Sequence, residues 1–322
     1  MADTEIASPA EAWIIRPDEL HLVDNTQIGG RQIAEGRWRN SLVMVKVLSK
    51  QAEPNALHVR GELWTSLHHP NVLQMFGVSP VDADPLYVVT QFQPDGNVNR
   101  FLEQHPQADR AKIVCDTAAG MQYLHSRGVV HGSLKPPNIL VRVDGRACVS
   151  DYGMIEVQTS GGSGHRYFSP EAWKGVSGSW LFDRVSLAQE ASRLYLAPQM
   201  CLLGQCALLR YVCEDSWVLV AFSTRVQIFT SKAPWGILSE KQIFRLLVRQ
   251  DSRPDRPDED FGLTDHMWGI MEKCWQRDSR QRPAFDAIIQ LLQSNIRISA
   301  DFRGKLPRFT GVLLEFISMR GN

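Results

Sequence analysis

The chain has no surplus of charge of either sign. Its 35 Lys plus Arg balance 35 Asp plus Glu over 322 residues. A protein that works through a global attraction to nucleic acid or to an anionic lipid surface needs a basic excess, so local patches are the only such route left. Cysteine is scarce, at six. Cys115, Cys148 and Cys274 stand alone among apolar neighbours and read as buried, reduced thiols. Cys201, Cys206 and Cys213 lie closer together, but they lack paired-ligand zinc spacing and no histidine lies among them. Long hydrophobic runs are missing too. The most apolar stretch, residues 194–213, is broken by Pro198, Gln199, Gln205 and Arg210, which excludes a membrane span. The first residues have neither a basic region nor an apolar core, so they do not read as a signal peptide, and the expected compartment is cytoplasmic or nuclear. Internal repeats and a Ser/Gly linker are also lacking.

What is present is ordinary globular material. Hydrophobic residues make up 43% and charged residues 22%. That is enough apolar surface to bury a core and too much for a disordered chain. The front is strand-rich. Leu42 to Leu48 is a short apolar run with β-branched residues, and Val72 to Val78 and Leu86 to Thr90 are similar. One helix interrupts them near Ala56 to Leu67, and His68-His69-Pro70-Asn71 stops it. Pro94-Asp95-Gly96 is a turn, and helices dominate beyond it. Arg110 to Ser126 carries Ile113, Val114, Thr117, Met121 and Leu124 on one face, with Gly128 after it. Ile139 to Val141 and Ala147 to Val149 read as a strand pair around Asp144-Gly145. Further helices fall near 239–250, 263–277 and 284–297. A β-rich front and a helical back, joined at Gln91 to Gly96, predict two lobes with a cleft between them, and clefts bind ligands.

Five segments, in order, now resemble one family. Val43-Met44-Val45-Lys46 resembles the lysine strand of protein kinases. His131-Gly132-Ser133-Leu134-Lys135-Pro136-Pro137-Asn138 resembles their catalytic loop. Asp151-Tyr152-Gly153 resembles the metal-binding DFG turn, and Ser169-Pro170-Glu171 the APE segment. Cys274-Trp275, Asp278 and Arg282-Pro283 resemble the tail signature of tyrosine and tyrosine-kinase-like members. Singly each is a weak signal; their order, with 13 residues from Asn138 to Asp151, makes the set specific. The resemblance covers about residues 26–297 and is closest to the tyrosine-kinase-like group.

The resemblance implies an α+β, two-lobed protein-kinase fold. Residues 1–25 are expected as a leader, 26–92 as the small lobe, 93–297 as the large lobe with an unusual insert at about 177–214, and 298–322 as a tail. It implies ATP and Mg²⁺ as cofactors, and a protein substrate or signalling partner in place of nucleic acid. Phosphoryl transfer is mostly positioning and charge neutralisation. Lys46 would meet the α/β-phosphates and Lys135 the terminal phosphate. Asn138 and Asp151 would give Mg²⁺ its hard oxygen ligands. Thr90 would gate the back of the adenine pocket, with Gln91 and Gln93 bonding the adenine edge through their backbone. Glu171 and Arg282 would form a buried ion pair that ties the large lobe. Read without the family, Lys46 and Lys135 are solvated lysines and Asp151-Tyr152-Gly153 is a surface turn.

Four departures fall on working parts. The catalytic carboxylate is replaced by Ser133, whose hydroxyl is a poor base at neutral pH, and Gly132 replaces the arginine before it. The helix glutamate that should hold Lys46 falls at Arg60, nine residues before His69; Glu62 points about 200° away around the helix. Residues 28–36 lack the G-x-G-x-x-G spacing of a phosphate cradle. Residues 177–214 insert about 35 extra residues. They read as a helical insert, a local binding segment or translated non-coding sequence. Asp215 is the candidate anchor of the next helix. Thr159, Ser160 and Ser163 are phosphorylatable positions, but with Gly132 in place of the arginine no receiver for the phosphate is evident. The implied activity is therefore that of a pseudokinase that binds ATP and acts through protein contacts. The alternative is an active Ser/Thr kinase.

Overall fold

A computed structural model of the chain describes residues 12–23, 32–129, 131–154, 157, 167, 227–256, 263–278, 281–283 and 286–293. The insert at 177–214, the expected tail at 298–322, Ser169 to Glu171, the three phosphorylatable positions, Asp215 and the centre of the glycine-rich loop lie outside the described residues.

The front half is a five-stranded antiparallel sheet. Its strands are β1 (His21–Leu22), β2 (Ile33–Trp38), β3 (Ser41–Val47), β4 (Met75–Val78) and β5 (Tyr87–Gln91), in the order β1-β2-β3-β5-β4. Strand alternation sorts its two faces. Val43, Val45, Tyr87 and Val89 face one side, where they pack with Ile15 and Leu20. Val88, Met75 and Val78 face the other side and pack with Leu57 and Trp64 of helix α1 (Pro54–Thr65). The buried residues of α1, Leu57, Gly61 and Trp64, recur at helical spacing and form the stripe laid on the sheet. Residues 13–22 belong to this layer, within the stretch expected as a leader. Ile15 N–H donates to the Val78 carbonyl at 2.9 Å, Val78 N–H to that of Trp13 at 3.0 Å, and the Tyr87 hydroxyl to that of Ile15 at 2.7 Å.

The back half begins with α2 (Val98–Gln104), capped by the Asn97 side chain, and α3 (Arg110–Ser126), capped by Asp109. Strands β6 (Ile139–Val141) and β7 (Ala147–Val149) pair as expected. Further along the chain, helix α4 (Glu240–Phe244) continues as a π-helical turn over Arg245–Arg249. Helix α5 (Asp265–Cys274) buries Met267, Ile270, Met271 and Cys274, and residues 286–293 are again helical. Cys148 and Cys274 are buried and Cys115 is half-buried, and none of the three is in a disulfide. Arg282 is buried and donates to the Gln276 carbonyl at 2.9 Å. Its expected partner Glu171 lies outside the described residues. No helix among the described residues is long and apolar enough to cross a membrane.

The two halves are stitched by backbone bonds. Val149 N–H donates to Asn71 and Leu73 N–H to Val149, at 2.9 and 2.8 Å. This explains a difference from the sequence expectation: β4 starts at Met75, not at Val72, because residues 71–73 pair with β7. At the join, Val141 N–H donates to the Gly96 carbonyl at 3.0 Å, and Arg142 donates to both the Val72 carbonyl and Gln91 Oε1. The result is an α+β arrangement of two lobes, with the cleft at their seam.

Candidate functional site

The roof of the cleft is the helix-side face of β2, β3 and β5. Register places Lys46 opposite Ile33 and Val88, and Met44 opposite Glu35 and Thr90, all on one face. Lys46 is half-buried, and its Nζ lies 2.6 Å from Asp151 Oδ2. The sequence of α1 holds a single carboxylate, Glu62. Glu62 is exposed and enters no ion pair among the described residues, and Arg60 is half-buried on the same helix.

The floor is the His131–Asn138 loop with the turn at Asp151. His131 is fully buried, and burial pushes its imidazole down to about 4, so it is neutral at pH 7. Its Nδ1 accepts from the Ser133 amide at 3.4 Å, which puts the proton on Nε2. Gly132 holds φ +77°, a left-handed conformation that a side chain would resist. Asn138 Nδ2 donates to the Ser133 carbonyl at 2.8 Å, while the Asn138 carbonyl accepts from both the amide and the hydroxyl of Ser150. The Ser133 hydroxyl is half-buried and has no hydrogen-bond partner among the described residues. Lys135 is half-buried and enters no ion pair among them.

Asp151 itself takes φ +57°, a conformation more tolerable for aspartate than for most residues. Tyr152 is buried, and its hydroxyl donates to the Leu73 carbonyl at 2.9 Å. Burial pushes that phenol's pKa up, so it stays a neutral donor. Gly153 N–H donates to the His131 carbonyl at 3.2 Å. A Cβ on Gly153 would sit 2.7 Å from Trp64 Nε1, so the turn and α1 approach to a distance only glycine allows. The Trp64 indole N–H is buried there without a partner.

At the join, Thr90 is half-buried beside Met44. The Gln91 amide is committed to the Gln74 carbonyl at 3.0 Å, so it is no longer a free donor. The Gln93 carbonyl accepts from Gly96, its amide N–H has no partner among the described residues, and its side-chain Nε2 is buried and unpartnered. The fold therefore gathers Lys46, Thr90, Gln91, Gln93, Ser133, Lys135, Asn138 and Asp151 around one seam. Ile33 and Met44 lie on the roof face and Leu140 is half-buried on β6, and the sequence reading did not single these out. Ile33 and Met44 share the face of Lys46, and Leu140 turns away from the buried Ile139 and Val141. The signal for all three was the strand period counted from the charged or core neighbour.

Among the described residues no cluster of three or more His, Cys, Asp or Glu offers a metal cage. Mg²⁺ seldom uses such a cage; it takes one or two protein oxygens plus phosphates and water. Asn138 Oδ1 and the second Asp151 oxygen are hard donors of that type. They fit the ion in kind, although the ammonium of Lys46 already holds the carboxylate.

Comparison with known proteins agrees with this geometry. Residues 27–176 match the family described as protein tyrosine and serine/threonine kinase. The probable serine/threonine-protein kinase SIS8 of Arabidopsis thaliana is 29% identical over 81% of this chain and 23% of its own length. The serine/threonine-protein kinase STY17 of the same plant is 25% identical, over 90% of this chain and 47% of its own length. The dual specificity protein kinase shkC of Dictyostelium discoideum is 26% identical, over 86% and 52%. The chain thus spans about half or less of each of these relatives.

Proposed function

We propose that this chain carries a protein-kinase domain of the tyrosine-kinase-like type and is a pseudokinase: it binds ATP between its lobes and works mainly through protein contacts, a reading supported by the family match over residues 27–176 and by the similar kinases. One observation carries this reading. The residue at the catalytic-base position is Ser133, and among the described residues nothing is hydrogen-bonded to its hydroxyl. Loss of a general base typically costs about 10²–10⁴ in rate.

In this reading the small lobe at 26–92, extended by the strap at 13–22, closes over the large lobe at 93–297. Lys46 and Lys135 counter phosphate charge, Thr90 gates the pocket, and the Gln91 carbonyl and Gln93 amide meet the base. Ile33, Met44 and Leu140 supply apolar contact. Asn138 and Asp151 carry the hard oxygens that Mg²⁺ would use wherever it displaced the Lys46 ammonium. The partner is a signalling protein.

The retained Lys46, Asn138, Asp151 and Lys135 favour a second reading, an active Ser/Thr kinase. The similar proteins described as serine/threonine kinases lean the same way. Transfer from radiolabelled ATP to generic protein acceptors separates the two. The pseudokinase reading expects background label. Turnover that survives Ser133→Ala and vanishes in Asp151→Ala would defeat it. Nucleotide should also raise the melting temperature, because a ligand that binds only the folded state stabilises it by mass action. No shift at saturating nucleotide would leave the cleft a structural one.

A further inference from the structure

The ion pair between β3 and the Asp151 turn gives the floor's carboxylate to a cation of the chain itself. Lys46 Nζ sits 2.6 Å from Asp151 Oδ2, and both side chains are only about a quarter exposed. On the roof, Glu35 shares the Lys46 face of the sheet but is exposed and enters no ion pair among the described residues. The single carboxylate in the sequence of α1, Glu62, is exposed and enters no ion pair among the described residues. The helix position expected to face Lys46 carries Arg60, a cation. A divalent cation reaching Asp151 would therefore meet an ammonium already at contact distance, with no acid of α1 placed to receive that ammonium. An ammonium has three N–H donors. One on Asp151 leaves two for phosphate oxygens, so Lys46 is able to bridge the carboxylate and a phosphate, the geometric task a metal ion would otherwise perform there.

Resting on the nucleotide reading above, we propose that this site takes a nucleoside triphosphate without a divalent cation, with Lys46 as the bridging charge and Mg²⁺ adding little to affinity. The test is calorimetric titration of ATP into the full chain, once in EDTA and once in excess Mg²⁺. The two dissociation constants are expected to agree within about threefold. Tightening by Mg²⁺ of about tenfold or more would overturn the proposal and leave the nucleotide reading standing. No binding in either medium would overturn both. Lys46→Met sharpens the result. It should weaken binding in EDTA by about tenfold or more, and it should make Mg²⁺ tighten what binding remains, because Asp151 is then open to the metal. If Mg²⁺ has the same small effect on Lys46→Met as on the natural chain, Lys46 is not what excludes the ion and the proposal fails. Melting curves of each variant without ligand confirm that the protein titrated is folded.

Discussion

The roof and the floor of the cleft are short of the same kind of group, and they meet the shortage differently. On the roof, the helix lacks a carboxylate facing β3, and Lys46 turns instead to Asp151 across the cleft. On the floor, the position of the missing carboxylate is Ser133, and its hydroxyl finds no partner among the described residues. Around both positions the neutral framework is complete. Asn138 still ties Ser133 to Ser150, and Tyr152 still ties the turn to Leu73. Apolar packing and backbone bonds join the two lobes along this seam independently of its charged groups. On the proposed reading fold and catalysis are separable, and the separation is measurable.

The largest expected effect tests whether packing, and not charge, holds the roof. Trp64 of α1 is fully buried against Gly153. Trp64→Ala should cost about 3–5 kcal/mol in urea unfolding, the usual range for deleting a buried aromatic. Lys46→Met, at a partly exposed pair, should cost less than about 1 kcal/mol. Equal losses would mean that the ion pair carries structural weight and that the contrast between framework and charge is wrong.

Next in size is a pH effect that belongs to the floor. His131 is buried and His125 half-buried, and desolvation lowers each to about 4 from an ordinary 6.5. Below 6.5 the unfolded chain takes up the proton before the native one, so stability is full above that pH and falls as pH drops toward about 4. The slope for each histidine is at most about 1.4 kcal/mol per pH unit. Unfolding midpoints at pH 7, 6 and 5 measure it, and His131→Asn should flatten it. A chain equally stable at pH 7 and 5 would show that neither imidazole is held neutral.

Smaller again is Tyr152→Phe, which leaves the Leu73 carbonyl without its donor in a buried seam. The expected cost is about 1–2 kcal/mol, with nucleotide affinity unchanged. A change in affinity without a change in stability would reassign Tyr152 from the framework to the site.

Much of this was legible from residue order. The alternation in Val43 to Val47 and the stripe in Arg110 to Ser126 place β3 and α3 within a residue of where they lie, because local period and burial agree there. Strand β2 was missed: Gly36 and the charged residues Glu35 and Arg37 hide its alternation, and only pairing with β3 reveals it. Helix α2 was missed because its seven residues bury only Val98 and Leu102, too few for a readable stripe. At the site, the residue types were readable from the motifs. The Lys46–Asp151 contact was not, because it joins residues 105 positions apart and depends on where α1 puts no acid. The bond from the Gln91 amide to Gln74 was likewise not legible, because it follows from sheet pairing that the sequence does not display.

The smallest expected effect is the most direct challenge to the two-sided account. Ser133→Asp returns a carboxylate to the floor at a half-buried position. If the floor alone were deficient, transfer should rise by the about 10²–10⁴ that a general base supplies. The roof argues against that rise. Lys46 remains on Asp151, Arg60 remains in the helix, and residues 28–36 still lack the glycine spacing of a phosphate cradle. Transfer also depends on holding the phosphates in line, and a base cannot supply alignment. The expected gain is therefore under about tenfold, in a protein whose unfolding free energy moves by less than about 0.5 kcal/mol. Radiolabel transfer by the single variant decides it. Brisk turnover would place the whole deficit on the floor, and the Lys46–Asp151 pair would then be compatible with catalysis rather than a sign of its loss.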